Sequence, residues 1–264
     1  MLKSVFLMVL LSFASVSYNQ VLQMKLSTGS SGNESISDLI KDDTGNIYVC
    51  GNFSSTVNFN PEGTSYELTS VTTGDIFIAK YNSSNILQWA FNLGNEETTQ
   101  IVKLSIDSEG SLLVTGNFTE SIDLDPGIGS VIIDGGAFNS GFLAKYDPDG
   151  NLIFGKGFDG NIEITCMDID NSDNILLTGK YDDIFGSCDL NPAGGAVLTG
   201  AGGFISKYDN DGVYLWDYHF ENGIAKSLCT DSENNLIIVG DFDLNIDLNP
   251  AISGTEHTTW DPAN

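Results

Sequence analysis

The chain has 264 residues, of which 41% are hydrophobic, enough for a buried core and too many for a disordered polymer. With 36 acidic residues against 10 basic ones the formal net charge is −26, so nucleic acid and anionic membrane surfaces are excluded as partners for want of clustered Lys and Arg. Such an exterior serves solubility and leaves room for cation binding.

At the N-terminus Lys3 precedes an apolar run from Val5 to Phe13, followed by the small residues Ala14, Ser15 and Ser17. This is the pattern of a secretory signal peptide over residues 1–17, with a mature start near Tyr18 to Gln20. It predicts export to the cell surface or the medium. The run is too short to cross a bilayer, which takes about twenty apolar residues, and no later stretch approaches that length. Residues 18–30 read as a leading strand, because Val21 to Gly29 matches the pattern of Ile86 to Gly94 further on.

A repeat follows. The glycine closing the second strand of each unit stands at Gly51, Gly116, Gly179 and Gly240, at intervals of 65, 63 and 61. A Lys-Tyr pair recurs at Lys80-Tyr81, Lys145-Tyr146 and Lys207-Tyr208, and a proline at Pro61, Pro126, Pro192 and Pro250. Markers that agree on one period define units over residues 31–94, 95–157 and 158–220, with a partial unit over 221–264. Within a unit, short β-branched or aliphatic runs such as Asn46 to Phe53 and Ser111 to Phe118 follow turn-forming segments such as Asp43-Thr-Gly45 and Asp107-Ser-Glu-Gly110. A second hairpin runs through Asn82 to Asn85, Asp147 to Gly150 and Asp209 to Gly212. No later segment carries a sustained helical period with caps.

The fold class is therefore all-β: a β-propeller-like array of four-stranded blades, about 3.5 repeats of roughly 60–65 residues, forming an incomplete ring. A β-solenoid and a row of small sandwiches are the alternatives. Because the fourth unit stops before its Lys-Tyr strand, the sequence also reads as a piece of a larger ring.

These residues resemble the propeller repeats of the SBBP type found in exported bacterial proteins, Bacteroidetes-like ones among them. The pattern Asp-x-x-Gly-Asn-Ile-Tyr-Val-x-Gly is met at Asp43 to Gly51, Asp-x-Phe-x-Ala-Lys-Tyr at Asp75 to Tyr81, and the Trp- and Gly-containing strand at Asn85 to Gly94. The resemblance covers nearly everything after residue 30. It implies a bladed, exported or cell-surface protein and no enzyme, since the family has no general catalytic residues to carry over.

Chemistry is most plausible in the recurring Asp-x-Asp/Asn-Pro element. Asp123 and Asp125 stand two apart beside a Pro-Gly turn, and the other copies hold Asp189 and Asp247, or asparagine alone at Asn58 and Asn60. Two readings stand: a Ca²⁺ site built from Asp123, Asp125, Asp189 and Asp247, or an Asx-turn that accepts Asp and Asn alike. Beyond Ca²⁺ no cofactor is expected. Lys80, Lys145 and Lys207 suggest an ion pair or hydrogen bond inside each blade, while Trp89, Phe154 and Trp216 suggest packing between blades. Cys166 and Cys229 fall in corresponding strands of neighbouring repeats, which makes a disulfide between them one reading and free thiols for all four cysteines, Cys50 and Cys188 included, the other. His219 and His257 occupy unrelated positions, so a catalytic triad has no footing. The Asn-x-Ser/Thr triplets at Asn33, Asn52, Asn82 and Asn117 follow the repeat.

The function that emerges is a non-enzymatic exported scaffold binding an unidentified protein or glycan. A polysaccharide hydrolase or lyase on the same frame would need a non-repeated polar cluster at one end of the array. A spacer in a larger adhesin is the third reading.

Overall fold

Strands form wherever β-branched and aromatic residues lie between Asp-, Asn- and Gly-rich turns. The computed structural model describes residues 6–13, 20–28, 34–71, 74–93, 99–185, 188–191, 193–220, 223–242, 245–247 and 256–258. Residues 1–5 and 14–19, Asn33, Gly94, Pro192 and Pro250 lie outside the described residues, as do the side chains of Asp247 and His257. Apart from one 3-10 turn at Asp183–Phe185, the regular elements described are β-strands, paired antiparallel.

The apolar run forms β1 (Phe6–Phe13), which pairs with the leading strand β2 (Gln20–Thr28). The first sheet contains β3 (Glu34–Lys41) and β4 (Ile47–Phe53), then a short hairpin of β5 (Thr56–Asn58) and β6 (Glu67–Thr69), then β7 (Asp75–Tyr81) and β8 (Leu87–Leu93). Its order is β3-β4-β7-β8, a meander with the small hairpin inserted between the second and third strands. The second sheet repeats this with β9 (Thr99–Ile106), β10 (Leu112–Asp123), β11 (Ile132–Tyr146) and β12 (Leu152–Phe158). Here the insertion is continuous with the strands, pairing Ile122 with Ile133 and Asp123 with Ile132. The third sheet has β13 (Asn161–Ile169), β14 (Ile175–Asp182), the insert β15 (Cys188–Asp189) and β16 (Val197–Leu198), then β17 (Ala201–Tyr208) and β18 (Tyr214–Phe220). A fourth sheet comprises β19 (Gly223–Thr230) and β20 (Leu236–Phe242), followed by the small pair β21 (Asn245–Asp247) and β22 (Glu256–Thr258).

The first strands of successive sheets lie side by side, β3 against β9, β9 against β13 and β13 against β19. The described residues form no closed ring. The core sits between sheets. Leu112 and Val114 join Tyr48, Ile76 and Ile78 on one face of the second sheet, while Leu113 and Leu143 join Ile162, Ile175 and Leu177 on the other. Side chains alternate between faces and both faces are covered, which is why these strands read as continuous apolar runs.

The period-marking glycines have a steric cause. A Cβ at Gly51, Gly116, Gly179 or Gly240 would lie 1.8, 2.2, 2.1 or 2.1 Å from a carbonyl oxygen of the first strand. At each of these points the register of that pair shifts, so the glycine is where a β-bulge brings two backbones together.

The turns repeat one hydrogen-bond scheme. Asp107 Oδ1 accepts the N–H groups of Glu109 and Ser111 at 3.0 and 2.8 Å, and Gly110, at φ +84°, donates its N–H to the Asp107 carbonyl. Asp42, Asp170 and Asp231 do the same in the other first hairpins, and Asn82, Asp147 and Asp209 in the second ones. This side-chain mimicry of a backbone turn works for Asp and Asn alike. The left-handed position of Gly45 and Gly110 is taken by Asp173 and Asn234 later in the chain. Their side chains accept N–H bonds from Ser108 and Asn171 of the preceding sheet, both at 2.9 Å, which offsets the cost of a positive φ.

All four cysteines are free, so the Cys166–Cys229 disulfide does not form. Cys166 Sγ instead faces the Ser227 hydroxyl across the seam at 3.7 Å, one alternate residue before the exposed Cys229. Burial pushes the Cys50 thiol up to about 12.

Candidate functional site

The acidic Pro loops came first from the sequence, and their geometry is that of a turn. Asp123 Oδ1 accepts N–H bonds from Asp125 and Val131 at 3.0 and 2.8 Å, and Oδ2 accepts the Ser130 hydroxyl at 2.8 Å. Burial pushes the Asp123 carboxyl up, but these three bonds outweigh it and hold it below the usual range. Asp125 Oδ1 accepts the Gly127 N–H at 2.8 Å. Asp189 Oδ1 accepts from Asn191 and Ala196, and Asn58 Oδ1 from Asn60 and Tyr66, in the same two roles. A neutral amide thus does at Asn58 what the carboxylates do at Asp123 and Asp189. Asp247 is placed by its backbone, opposite Glu256. Among the described residues no three acidic, His or Cys side chains gather as a metal site. The tyrosine of each Lys-Tyr pair ties these loops down: Tyr81, Tyr146 and Tyr208 donate to the Phe59, Leu124 and Leu190 carbonyls at 2.8, 2.9 and 2.8 Å.

The repeated lysines act within and between sheets. Lys145 Nζ lies 2.8 Å from Asp107 Oδ2, with the two side chains 6% and 0% exposed, and it also donates to the carbonyl and side-chain oxygen of Asn210 in the next sheet's turn. Lys207 pairs with Asp170 at 2.7 Å. Burial raises the Asp170 carboxyl, but bonds from Lys207, Asn174 and Ser172 outweigh it and bring the pKa down to about 2. Lys80 lies over the Tyr48 ring and donates to the Pro148 carbonyl at 2.7 Å, an oxygen it shares with the Trp89 indole N–H at 3.0 Å. Trp89 and Phe154 cover Gly150 and Gly212 of the following turn, where a Cβ would meet the rings at 3.1 and 2.8 Å. The sequence reading placed the lysine inside a blade; in the structure the same ammonium also staples that blade to the next. Trp216 departs from its two counterparts, being 40% exposed.

A cavity of about 750 Å³ opens at the opposite end of the strands from these turns. Its lining comes from the second, third and fourth sheets and includes Gln100, Asn117, Glu163, Lys180, Tyr181 and Asp241. None of these was singled out from the sequence as a ligand contact; Asn117 repeats Asn52 and the others do not repeat. Equivalent registers carry Gln100, Glu163 and Ile224 on the first strands, and Asn117, Lys180 and Asp241 on the second. Asn117 ties the wall together, donating to the Ile164 carbonyl at 2.9 Å and accepting the Ile164 N–H at 2.7 Å. Lys180 pairs with Glu163 at 2.8 Å, and Asp241 with Lys226. The rim thus offers amides, carboxylates, an ammonium and the ring of Tyr181, which meets His219 with centroids 6.3 Å apart. Hydroxyl-rich or peptide ligands suit such a set, since each can both donate and accept. The signal available in the sequence was negative: just past the recurring glycine, Lys180 and Asp241 depart from the asparagine of Asn52 and Asn117.

Among the described residues no helix is long and apolar enough to cross a membrane. No protein-family model matches the chain, so the SBBP-type resemblance rests on the repeat pattern itself. The chain is similar to an uncharacterized WD repeat-containing protein of Acanthamoeba polyphaga mimivirus, 30% identical over 188 residues, a match that takes in 58% of this chain and 13% of that protein. Together with the all-β structure, this similarity supports a repeat protein of the β-propeller type.

Proposed function

We propose that the chain is part of an exported β-propeller of the SBBP type, a non-enzymatic scaffold whose polar cavity binds a glycan or a protein segment. The observation that carries this reading is the contrast in the lining: the turns and seams repeat from sheet to sheet, while Gln100, Glu163, Lys180 and Asp241 do not. A repeated residue serves the repeat, whereas a concave site with convergent, non-repeating polar groups serves a ligand. Export rests on the Lys3 and Val5 to Phe13 pattern. The test is a glycan array and a pull-down from extracellular material, each run with the chain and with a Glu163→Gln/Lys180→Met variant. Retention by the first and loss by the second is the expected result; two empty screens would remove the binding claim.

One observation favours a second reading, an extracellular polysaccharide hydrolase or lyase. Glu163 and Asp241 place carboxylates from neighbouring sheets in one cavity, the pair that glycoside cleavage uses as acid and base or nucleophile. Release of reducing ends or unsaturated sugars from acidic or neutral polysaccharides, abolished by Glu163→Gln, separates this reading from binding alone.

A further inference from the structure

We infer that the cavity takes an amino sugar, a short oligosaccharide whose rings carry a protonated amine beside a hydroxyl, and that Asp182 is the residue that selects it. This rests on the reading of the cavity as a binding site and names its ligand class. The residues involved belong to the second and third sheets, each with all four strands in place.

The second sheet's wall of the cavity is uncharged and the third's is not. Just past the recurring glycine the first two sheets carry Asn52 and Ser54, then Asn117 and Thr119, all neutral, whereas the third carries Lys180 and Asp182. Glu163 engages Lys180 at 2.8 Å, so those two charges cancel. Asp182 has no such counterpart: its Oδ1 accepts the Ile184 N–H at 3.0 Å, and among the described residues no lysine or histidine pairs with it. A carboxylate that faces a cavity without a cation of its own is complemented by one on the ligand.

The register says what stands beside that cation. Asn161 lies directly opposite Asp182 across β13 and β14, and Glu163 opposite Lys180, so all four side chains project on one side of the sheet. The Cβ atoms of opposed residues are about 5 Å apart, so the Asn161 amide and the Asp182 carboxylate act on neighbouring groups of one ligand. Among the described residues no hydrogen bond uses the side-chain amides of Asn161 or Gln100, in contrast to Asn117, whose amide is spent on Ile164. An amide both donates and accepts, which suits a hydroxyl; a carboxylate suits an ammonium. Side by side they match the adjacent hydroxyl and amine of an amino sugar. A lysine side chain brings an ammonium with no hydroxyl next to it, and an acidic sugar would set its own carboxylate against Asp182. A volume of about 750 Å³ is that of a small-ligand pocket, which fits a short oligosaccharide better than the face of a protein.

The test is isothermal titration calorimetry of the 264-residue chain under mildly acidic conditions, with four probes: a glucosamine tetramer, its fully N-acetylated counterpart, an oligogalacturonate of the same length and tetralysine. The glucosamine tetramer is expected to bind at least about tenfold more tightly than the other three. Asp182→Asn keeps an acceptor for the Ile184 N–H and removes the charge, and it should weaken glucosamine binding about tenfold. Glu109→Gln, on an exposed turn at the far end of the strands, should leave binding unchanged. Equal or tighter binding of the N-acetylated or the acidic oligomer would overturn the inference and leave the cavity as a binding site for another sugar. Tetralysine binding as tightly as the amino sugar, or an equal loss from Glu109→Gln, would overturn it in favour of general attraction to an acidic surface. If none of the four binds, the inference fails, and the glycan array and pull-down decide the cavity reading separately.

Discussion

The two ends of the strands obey opposite rules. At the turn end, Asp107 and Asp170 hold the lysines of their own sheets in buried pairs, and Lys80 and Lys145 also bond to the turn of the next sheet. At the cavity end, equivalent first-strand positions hold Gln100, Glu163 and Ile224, and on the second strands the asparagine of Asn52 and Asn117 gives way to Lys180 and Asp241. Repetition marks the joints, and its loss marks the surface free to vary. The difference is one of energetics: a buried charge cannot be left unpaired, whereas an exposed pair such as Lys180–Glu163, with side chains 45% and 42% accessible, contributes little.

Perturbing the joint should cost most. Lys145→Met leaves the Asp107 carboxylate buried without its partner, and a loss of about 3–5 kcal/mol is expected in urea unfolding. An unchanged midpoint would count against the seam as the main source of cohesion.

Acid should act through the same joint. The Asp170 carboxyl has a folded pKa of about 2 against an ordinary 3.8, so it stabilises the fold fully above pH ~4 and ceases to do so as the pH falls through about 2. About 2 kcal/mol should disappear over that window. Asp170→Asn, which keeps the turn, should flatten the dependence; urea midpoints at pH 5 and pH 2 for both chains provide the check.

Gly150 tests the contact between sheets on a smaller scale. Gly150→Ala places a Cβ 3.1 Å from the Trp89 ring on a residue at φ +89°, and a loss of about 1–2 kcal/mol in thermal unfolding follows. At the cavity end, Glu163→Gln/Lys180→Met should shift stability by no more than about 0.5 kcal/mol while abolishing ligand retention. If instead it unfolds the chain, the two ends are not different in kind.

The smallest effect belongs to the acidic loops. Asp123→Asn should be tolerated within about 0.5 kcal/mol, and melting should be the same in millimolar Ca²⁺ and in excess EDTA, because Asn58 performs the same role without charge. A rise in melting temperature with Ca²⁺ that Asp123→Asn removes would restore the metal reading.

Much of this was legible in the residues. The invariant glycines, the Asp and Asn turn heads and the Lys-Tyr pairs recur because backbone approach, turn closure and loop anchoring are local needs that each sheet must meet for itself. The cavity was not legible, since its walls come from three sheets and residues such as Gln100 and Asp241 are far apart in sequence. Nor was the reach of Lys145 to Asn210, or the missing disulfide of Cys166, which depends on which alternate residue of β19 faces the seam.

By itself, then, the sequence determined the period, the all-β class and the chemistry of every turn, because those follow from contacts within a single repeat. Tertiary structure decided how the sheets are stapled, which thiols meet, and where non-repeating side chains converge. Those outcomes depend on the packing of one sheet on the next, and side-chain reach across a seam has no signature in local order.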